Sequence, residues 1–248
     1  MRNLTEYETV NTATSEKNCQ TAGPATLVIF CKRPLIYQGK QRLAATIGVK
    51  SAFCIAEALL ECALEDANFW SGEVVLTISN KEDAIWASTL LERPHNVIVQ
   101  NTGNLGERIN SVDKQLRALG HKQLVFIGTD APMLTPKHYK QTLNALSNHD
   151  VVLSNAEDGG VVIMANSQPW PEISKLPWST KKLGKALTQS CLTHNLNLGY
   201  ISSGYDIDVE QDLLKLKRDL ANDPRIARQN LFHLVNVFSE QYEEIEYA

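Results

Sequence analysis

Four cations lie close together in the segment after the first strongly apolar stretch of the sequence. Lys32 and Arg33 directly follow residues 26–31, and Lys40 and Arg42 come soon after them. The planar Arg fork can engage two phosphate oxygens and Lys adds a point charge, so such a loop suits a di- or triphosphate. A solvated surface loop is the alternative, because charged residues are mostly exposed in any protein. No Walker A or G-x-G-x-x-G sequence is present, which disfavours P-loop and dinucleotide-binding folds.

A carboxylate follows a second apolar stretch. Asp130 lies in the segment 128–132, with the sequence GTDAP, directly after residues 123–127, and Pro132 prevents the strand from continuing. A carboxylate at a strand end can bind Mg²⁺ or Mn²⁺, which prefer one or two Asp ligands together with substrate phosphates. The alternative is a helix N-cap or a turn residue, and the pattern alone does not decide between the two.

Two further acidic segments follow later apolar stretches. Glu157 and Asp158 precede two glycines, and because Asp-Gly is common hairpin chemistry, the pattern alone favours a turn there. Asp206 and Asp208 have a spacing that suits metal ligands. An Asp just before a helix is also a routine N-cap, so both interpretations stay open.

The elements that position these residues alternate between buried strands and amphipathic helices. Short apolar runs rich in β-branched residues predict strands at 26–31, 73–79, 96–100, 123–127, 150–154, 161–165 and 196–202. Apolar residues at helical spacing predict helices at 51–66, 109–119, 136–146, 183–191, 209–220 and 224–237. This alternation predicts a three-layer α/β/α fold with a mostly parallel central sheet. Ligands of such sheets bind outside the carboxyl ends of the strands, where the four segments lie.

Composition limits the organisation and the partners of the chain. Its 248 residues are 43% hydrophobic, and the net charge of −4 leaves no basic footprint for nucleic acid. Residues 1–23 are polar and predict a flexible leader, and 24–248 predict a single domain with a C-terminal helical extension and an acidic tail. No apolar run approaches the roughly 20 residues of a membrane span, and cysteine and histidine spacing predicts no zinc site. We expect a soluble, cytoplasmic protein, and a homodimer is one assembly that the sequence allows.

Six short motifs, in this order, resemble those of a bacterial family of GT-A-fold glycosyltransferase-like proteins, sometimes described as arsenosugar-biosynthesis or radical-SAM/selenodomain-associated transferases and related to sugar nucleotidyltransferases. The first family motif, K-x-P-x-x-G-x-x-K-T-R-L, is matched at Lys32, Pro34, Lys40, Arg42 and Leu43. The others are G-x-L-G-E-R at 103–108, G-T-D-x-P at 128–132, E-D-G-G at 157–160, P-W-S-T at 177–180 and D-x-D-x-x-x-D-L at 206–213. The chain departs from the family at Tyr37, where Gly is usual, at Gln41, where Thr is usual, and at Val161-Val162, where aromatic residues are usual.

The resemblance implies a GT-A fold of the nucleotide-diphospho-sugar transferase type. It implies catalytic roles for Asp130 and Asp158 and, by looser analogy, a Mg²⁺ or Mn²⁺ ion held by Asp130 and Asp208. Asp158 would face the acceptor or a sugar hydroxyl. The nucleotide-binding residues that it implies are Lys32, Pro34, Lys40, Arg42, Gly103, Leu105, Gly106, Arg108 and Thr129.

Three functions remain open at this point. The first is metal-dependent glycosyl transfer from a nucleotide-sugar donor to a small-molecule acceptor. The second is nucleotidyl transfer, in which a small phosphorylated or carboxylated molecule attacks the α-phosphate of a nucleoside triphosphate, as in related phospholactate guanylyltransferases. The third is an inactive nucleotide-binding homologue, which the departures at Tyr37 and Val161 motivate.

Overall fold

The computed structural model describes residues 24–246, with side chains as far as residue 238. Within this part, seven strands form one sheet in the order β3-β2-β1-β4-β6-β5-β7. The strands are β1 Thr26–Cys31, β2 Val74–Ile78, β3 Asn96–Val99, β4 Leu124–Ile127, β5 Val151–Asn155, β6 Val161–Asn166 and β7 Leu198–Tyr200. Only β6 runs against the others, because its pairings with β4 and β5 are antiparallel and the remaining pairings are parallel. The predicted mostly parallel sheet is confirmed.

Helices cover both faces of this sheet. They are α1 Gln41–Ile47, α2 Val49–Asn68, α3 Ala84–Ser88, α4 Leu105–Ala118, α5 Pro136–Leu146, α6 Leu183–Thr193, α7 Glu210–Leu220 and α8 Ile226–Glu246. Apolar residues of α2, α3 and α5 pack on one face, and those of α4 and α6 pack on the other. The three-layer α/β/α architecture is therefore confirmed.

A third apolar cluster lies outside this sandwich. It joins α1 and the outer side of α2 to α7 and α8, through residues such as Leu43, Leu59, Leu216 and Leu231, all of which are fully buried or nearly so. The two last helices thus form a layer on α2 and not on the sheet. None of the helices in residues 24–246 combines the length and hydrophobicity that crossing a bilayer requires.

Two short helices differ from the sequence expectation. Residues 32–42 were expected to form a polar loop, yet α1 already begins at Gln41, and α3 follows a single 3₁₀ turn at Lys81–Asp83. Both helices are too short for a clear apolar period: α1 buries only Leu43 and Ile47. The expected leader at 1–23 lies outside the described residues. The backbone of the acidic tail continues α8 as far as Glu246.

The sheet brings all the acidic and basic segments to one edge. Because β1, β3, β4, β5 and β7 are parallel to one another, the residues that follow each of them lie at the same end of the sheet. The antiparallel β6 begins at this end with Val161. The segments 32–42, 103–108, 128–132, 156–160 and 201–208 therefore meet at one edge.

Candidate active site

A cleft of about 450 Å³ opens at this edge of the sheet. Its floor consists of strand side chains such as Phe30, Phe126 and Met164, and four carboxylates and one arginine line its walls. Apolar floors with a few convergent polar groups are typical of small-molecule sites. The cleft is therefore the candidate active site.

Lys40 connects two of the acidic segments. Its Nζ lies 3.0 Å from Asp130 Oδ2 and also donates to the carbonyl oxygen of Ile207. The backbone N–H of Ile207 donates to the carbonyl of Asp130 at 2.9 Å. Lys40 has a positive φ of 43° and is the residue before α1, so the start of that helix aims its side chain at the acids. The first cation loop and the two carboxylate segments thus form one connected unit.

Asp208 is not needed as a helix cap. The first turn of α7 is capped by Asp212, whose Oδ2 accepts the backbone N–H groups of Asp208 and Val209, each at 2.8 Å. The carboxylate of Asp208 instead lies 3.2 Å from Arg42 Nη1, with both side chains more than half exposed. Because exposed ion pairs contribute little stability, either partner is available to a ligand.

Asp206 is the most perturbed carboxyl of the cleft. Burial, followed by the charge of Asp130, raises the pKa of Asp206 to about 7, although Lys40 opposes the shift. Asp158 and Asp208 add smaller contributions in the same direction as Asp130. Strongly perturbed carboxyls in a cleft are typical of functional sites.

Asp158 has a structural role and also lines the cleft. Its Oδ1 accepts the backbone N–H of Gly160 at 2.9 Å, which closes the turn between β5 and β6 as the Asp-Gly pattern predicts. Gly159 has φ of +93°, and a Cβ there would lie 2.1 Å from the carbonyl oxygen of Lys181. The turn therefore requires glycine and packs against the segment that follows Trp178.

Tyr37 adopts a left-handed backbone conformation that glycine would adopt without strain, with φ of 67°. Its side chain is 78% exposed, so packing does not compensate for that strain. Gln41 Nε2 donates to the carbonyls of Tyr37 and Gly39 at 3.1 and 3.3 Å, which ties the loop to the start of α1. At both departures from the family motif, the chain keeps a compact loop.

We expect Tyr37→Gly to be more stable than Tyr37→Ala by about 1 kcal/mol, because only glycine adopts positive φ without strain. The matched control is Ala45→Gly at an exposed position of α1. There the glycine variant should be less stable than the wild-type alanine by roughly 0.5–1 kcal/mol. Urea unfolding measures all three variants. An alanine variant at position 37 as stable as the glycine variant would show that the backbone there is not left-handed.

Two sequence motifs pack against each other at the start of α4. Asn104 and Glu107 form a reciprocal capping box, and Arg108 Nε donates to the carbonyl of Gly103 at 2.8 Å. A Cβ at Gly106 would lie 2.4 Å from Trp178 Nε1, so glycine is required for this contact. Residues 103–108 thus mainly build the helix start, and among them it is Leu105 that lines the cleft.

Several residues predicted to bind nucleotide lie away from the cleft. Lys32 is exposed and does not line it, and Pro34 lines a separate cavity of about 500 Å³. Arg33 turns toward that cavity, where it pairs with Asp83 at 3.7 Å. Thr129 faces the opposite side of its loop, toward Arg228. Lys40, Arg42, Leu105, Asp130, Asp158 and Asp208 are brought together around the cleft.

Trp178, Ser179 and Thr180 also line the cleft, although no role was predicted for them beyond their place in the P-W-S-T motif. Asp206 also lines the cleft, although the sequence offered it only as one of two carboxylates at a spacing that suits metal ligands. Its spacing from Asp208 is the sequence feature that points to it. Burial, which the spacing does not reveal, distinguishes it from the other carboxyls of the cleft.

Beneath the site, Arg228 of α8 fixes the loop that carries Asp130. This arginine is fully buried, and its guanidinium donates to the carbonyl of Pro132 at 3.1 Å. Further bonds go to Asp66 at 2.6 Å, to Glu65 at 2.9 Å and to the carbonyl of Cys62. The C-terminal helix thus connects α2 to the Asp130 loop.

The carboxylates suit a hard divalent cation only in part. Among the described side chains, no group of three His, Cys, Asp or Glu residues is arranged to hold a metal ion by itself. Mg²⁺ usually takes one or two carboxylates and completes its coordination with water and substrate phosphates. Asp130 and Asp208 could serve as carboxylate ligands in this second mode, with the other ligands supplied by water and a substrate phosphate.

Comparison with known proteins places this geometry in context. Residues 63–180 match a family model described as uncharacterized protein conserved in bacteria (DUF2064). This segment contains Asp130 and Asp158 and ends just after Trp178. No curated protein matches the chain.

Solved structures share the fold across nearly the whole chain. A protein from Desulfovibrio desulfuricans G20, provisionally assigned as a nucleotide-diphospho-sugar transferase, superposes with a TM-score of 0.80 at 18% identity, over 89% of this chain and 98% of that one. A cytidylyltransferase from Leptospira borgpetersenii serovar Hardjo-bovis (strain JB197) gives 0.52 at 12% identity, over 88% and 96%. The 4-diphosphocytidyl-2C-methyl-D-erythritol synthase from Anaerococcus prevotii DSM 20548 gives 0.51 at 12% identity, over 78% and 94%. The chain therefore shares the fold of these structures, as the motif resemblance implied.

Proposed function

We propose that the protein is a metal-dependent transferase that uses a nucleotide sugar as donor and a small molecule as acceptor. The observation that supports this most directly is the convergence of Lys40 and Arg42 with Asp130 and Asp208 at the mouth of the cleft. Cations and carboxylates from different segments meet there, as binding a metal-bound diphosphate requires. The fold shared with the Desulfovibrio protein, which is provisionally assigned as a nucleotide-diphospho-sugar transferase, supports this use of the site.

In this proposal, Lys40 and Arg42 bind the donor phosphates. Each pairs with a carboxylate in the ligand-free protein, and each can exchange that partner for a phosphate oxygen. Positive charge fixed at this position stabilises the diphosphate as it departs, and such electrostatic stabilisation is usually a large part of catalysis. Asp130 and Asp208 would hold a Mg²⁺ or Mn²⁺ ion, and this ion would neutralise the same developing charge.

A nucleotidyltransferase is the second candidate, and the folds of the two cytidylyl-type proteins favour it. The same cations and carboxylates would then bind a triphosphate and a pyrophosphate leaving group. An inactive homologue would bind nucleotide without turnover. The choice of donor and the presence of turnover separate these functions.

Binding measured by calorimetry for nucleotide sugars and free triphosphates, with and without Mn²⁺, tests the proposal. We expect a nucleoside diphosphate sugar to bind at least about tenfold more tightly with Mn²⁺ than without. Preference for the bare triphosphate would favour nucleotidyl transfer, and nucleotide binding without release of the free nucleotide in the presence of small-molecule acceptors would favour the inactive homologue. If neither class of nucleotide binds, both enzyme functions are wrong.

The role of Asp130 is tested by measuring how Asp130→Asn changes the affinity for a nucleotide sugar with and without metal, because the two effects should have opposite signs. With Mn²⁺, Asp130→Asn should weaken binding of the nucleotide sugar by about tenfold or more, because a metal ligand is lost. Without metal, the same variant should bind at least as tightly as wild type, since the charge of Lys40 is no longer neutralised by a carboxylate and can pair with phosphate. The control is Glu92→Gln, which also removes one negative charge, at an exposed residue four positions before β3. An unchanged Mn²⁺ dependence in Asp130→Asn would contradict the assignment.

A further inference from the structure

Trp178 presents a fixed aromatic surface to the cleft. Its indole Nε1 donates to the carbonyl of Ile173 at 2.8 Å, and its backbone N–H donates to the carbonyl of Leu176 at 2.8 Å. The absence of a side chain at Gly106 allows the ring to pack closely against α4. Because its polar atom is already bonded within the protein, the ring has only an apolar surface to offer a ligand.

The surroundings of this ring are apolar or neutral. Leu105 of α4 and Val161 and Val162 of β6 line the same cleft, together with the hydroxyl-bearing residues Ser179 and Thr180. The Thr180 hydroxyl donates to the carbonyl of Pro177 at 2.7 Å, so it too has a set orientation. These lining residues therefore offer contact area to a ligand, and none of them is charged.

The charges of the cleft are strongly unbalanced. Four carboxylates line it, at positions 130, 158, 206 and 208, and Arg42 is the one cation among the lining residues that the structure describes. Arg42 pairs with Asp208, and Lys40, beside the cleft, pairs with Asp130. The diphosphate of a nucleotide sugar and a divalent cation carry opposite charges of equal size, so binding both of them leaves this negative excess in place. Like charges brought together in a binding site repel one another, so a second anion would be disfavoured there.

We propose that the Trp178 side of the cleft is an acceptor subsite for uncharged, hydroxyl-bearing molecules with an apolar face, and that the carboxylates exclude phosphorylated and carboxylated acceptors. The inference rests on the proposed function, since it assigns the donor to Lys40 and Arg42. It also opposes the nucleotidyl-transfer alternative, whose acceptor carries a phosphate or a carboxylate.

The probes are 4-nitrophenyl β-D-glucoside and 4-nitrophenyl β-D-glucuronide, which differ only by a carboxylate in place of a hydroxymethyl group. Binding to the full chain is followed by calorimetry, with and without a nucleoside diphosphate and Mn²⁺. We expect the glucoside to bind at least about tenfold more tightly than the glucuronide. Equal or tighter binding of the glucuronide would overturn the proposal.

Variants at two positions assign the effect to the subsite. Trp178→Leu and Trp178→Phe both lose the indole hydrogen bond, but only phenylalanine keeps an aromatic face, so we expect the leucine variant alone to lose about tenfold in glucoside affinity. Trp86→Leu, in the separate cavity beside Arg33, is the matched control and should leave binding unchanged. Asp158→Asn should improve binding of the glucuronide more than that of the glucoside. Equal glucoside affinity in the leucine and phenylalanine variants would contradict the proposal that an aromatic face at position 178 binds the glycoside.

Donor binding is measured separately, so the two proposals can fail independently. If a nucleotide sugar binds with Mn²⁺ while neither glycoside binds at roughly 10 mM, the subsite is wrong and the donor assignment stands. If glucoside binding is observed and is lost in Trp178→Leu, while no nucleotide binds, the ligand-binding surface at Trp178 stands, but the transferase proposal and with it the acceptor role fail.

Discussion

Replacing Arg228 by methionine is expected to lower the free energy of unfolding by about 3–5 kcal/mol, a large part of the roughly 5–15 kcal/mol of a typical domain. Methionine fills similar volume but removes the guanidinium that bonds Glu65 Oε2 and the carbonyls of Cys62 and Pro132, and Glu65 keeps the backbone N–H of Ala227 at its Oε1. Asp66 keeps its bonds from Arg225 and Tyr139, at 3.1 and 2.8 Å, so the loss is concentrated on the remaining groups. Buried polar groups without partners are among the few causes of such large effects.

Urea unfolding checks this expectation through the transition midpoint, with the slope unchanged if the native state stays compact. Arg218→Met, at an exposed position on α7, is the matched control and should change stability by no more than about 0.5 kcal/mol. Arg228→Lys should lie between wild type and the methionine variant, because an ammonium group keeps the charge but cannot reach all the acceptors of the guanidinium fork. A loss of less than about 1 kcal/mol in Arg228→Met would mean that the network is not the link between α8 and the Asp130 loop.

The sequence predicts the sandwich well because burial leaves a periodic trace. Strands such as β1 and β4 are buried on both faces, so they appear as continuous apolar runs, and the long helices show one apolar stripe. Short helices leave almost no trace. In α1, two buried residues separated by four positions are all that the pattern offers, and the preceding loop is read as polar.

Arg228 illustrates a different limit. A charged residue within an apolar helical stripe is expected at the surface, and nothing near it in the sequence identifies Asp66, 162 positions earlier, as its partner. Burial of this arginine depends on how α8 packs on α2. That packing is a property of the third apolar cluster and not of either helix alone.

The sequence predicts the position of those site residues that directly follow a strand. The parallel sheet places Asp130, Asp158 and Asp208 at one edge, and the cations after β1 come to the same place. Local competition between roles was not predictable. Asp212 caps α7 and leaves Asp208 free of that role, whereas Asp158 closes a turn while facing the cleft.

The accumulation of carboxylates at this edge has an energetic consequence, which Asp206 carries most strongly. Burial and the charge of Asp130 raise the pKa of Asp206 from 3.8 to about 7, so the folded protein disfavours its ionised form. The unfolded chain ionises this group near pH 3.8. Stability is therefore lost as the pH rises between these two values, and the whole penalty is present above pH 7.

Asp206→Asn removes the ionisable group and is expected to stabilise the nucleotide-free protein at about pH 8, by at most about 4 kcal/mol, since each pKa unit corresponds to about 1.4 kcal/mol. The gain should shrink steadily as the pH falls from 7 toward 3.8. Urea unfolding across this range measures it, and Glu61→Gln, an exposed change of equal charge on α2, should show no such pH dependence. A gain that is the same at about pH 5 and pH 8 would mean that Asp206 titrates normally in the fold.

The same variant distinguishes a carboxylate kept for function from one kept for the fold. If Asp206 serves the ligand-bound state, Asp206→Asn should be more stable than wild type and bind the metal–nucleotide pair less tightly, which is the trade-off expected of a strained site. Asn at position 206 keeps the shape of the side chain, so reduced stability in this variant would indicate a structural role. Greater stability together with weaker ligand binding would mean that Asp206 is kept for the ligand, at a cost in stability that comes from its burial and from the charge of Asp130.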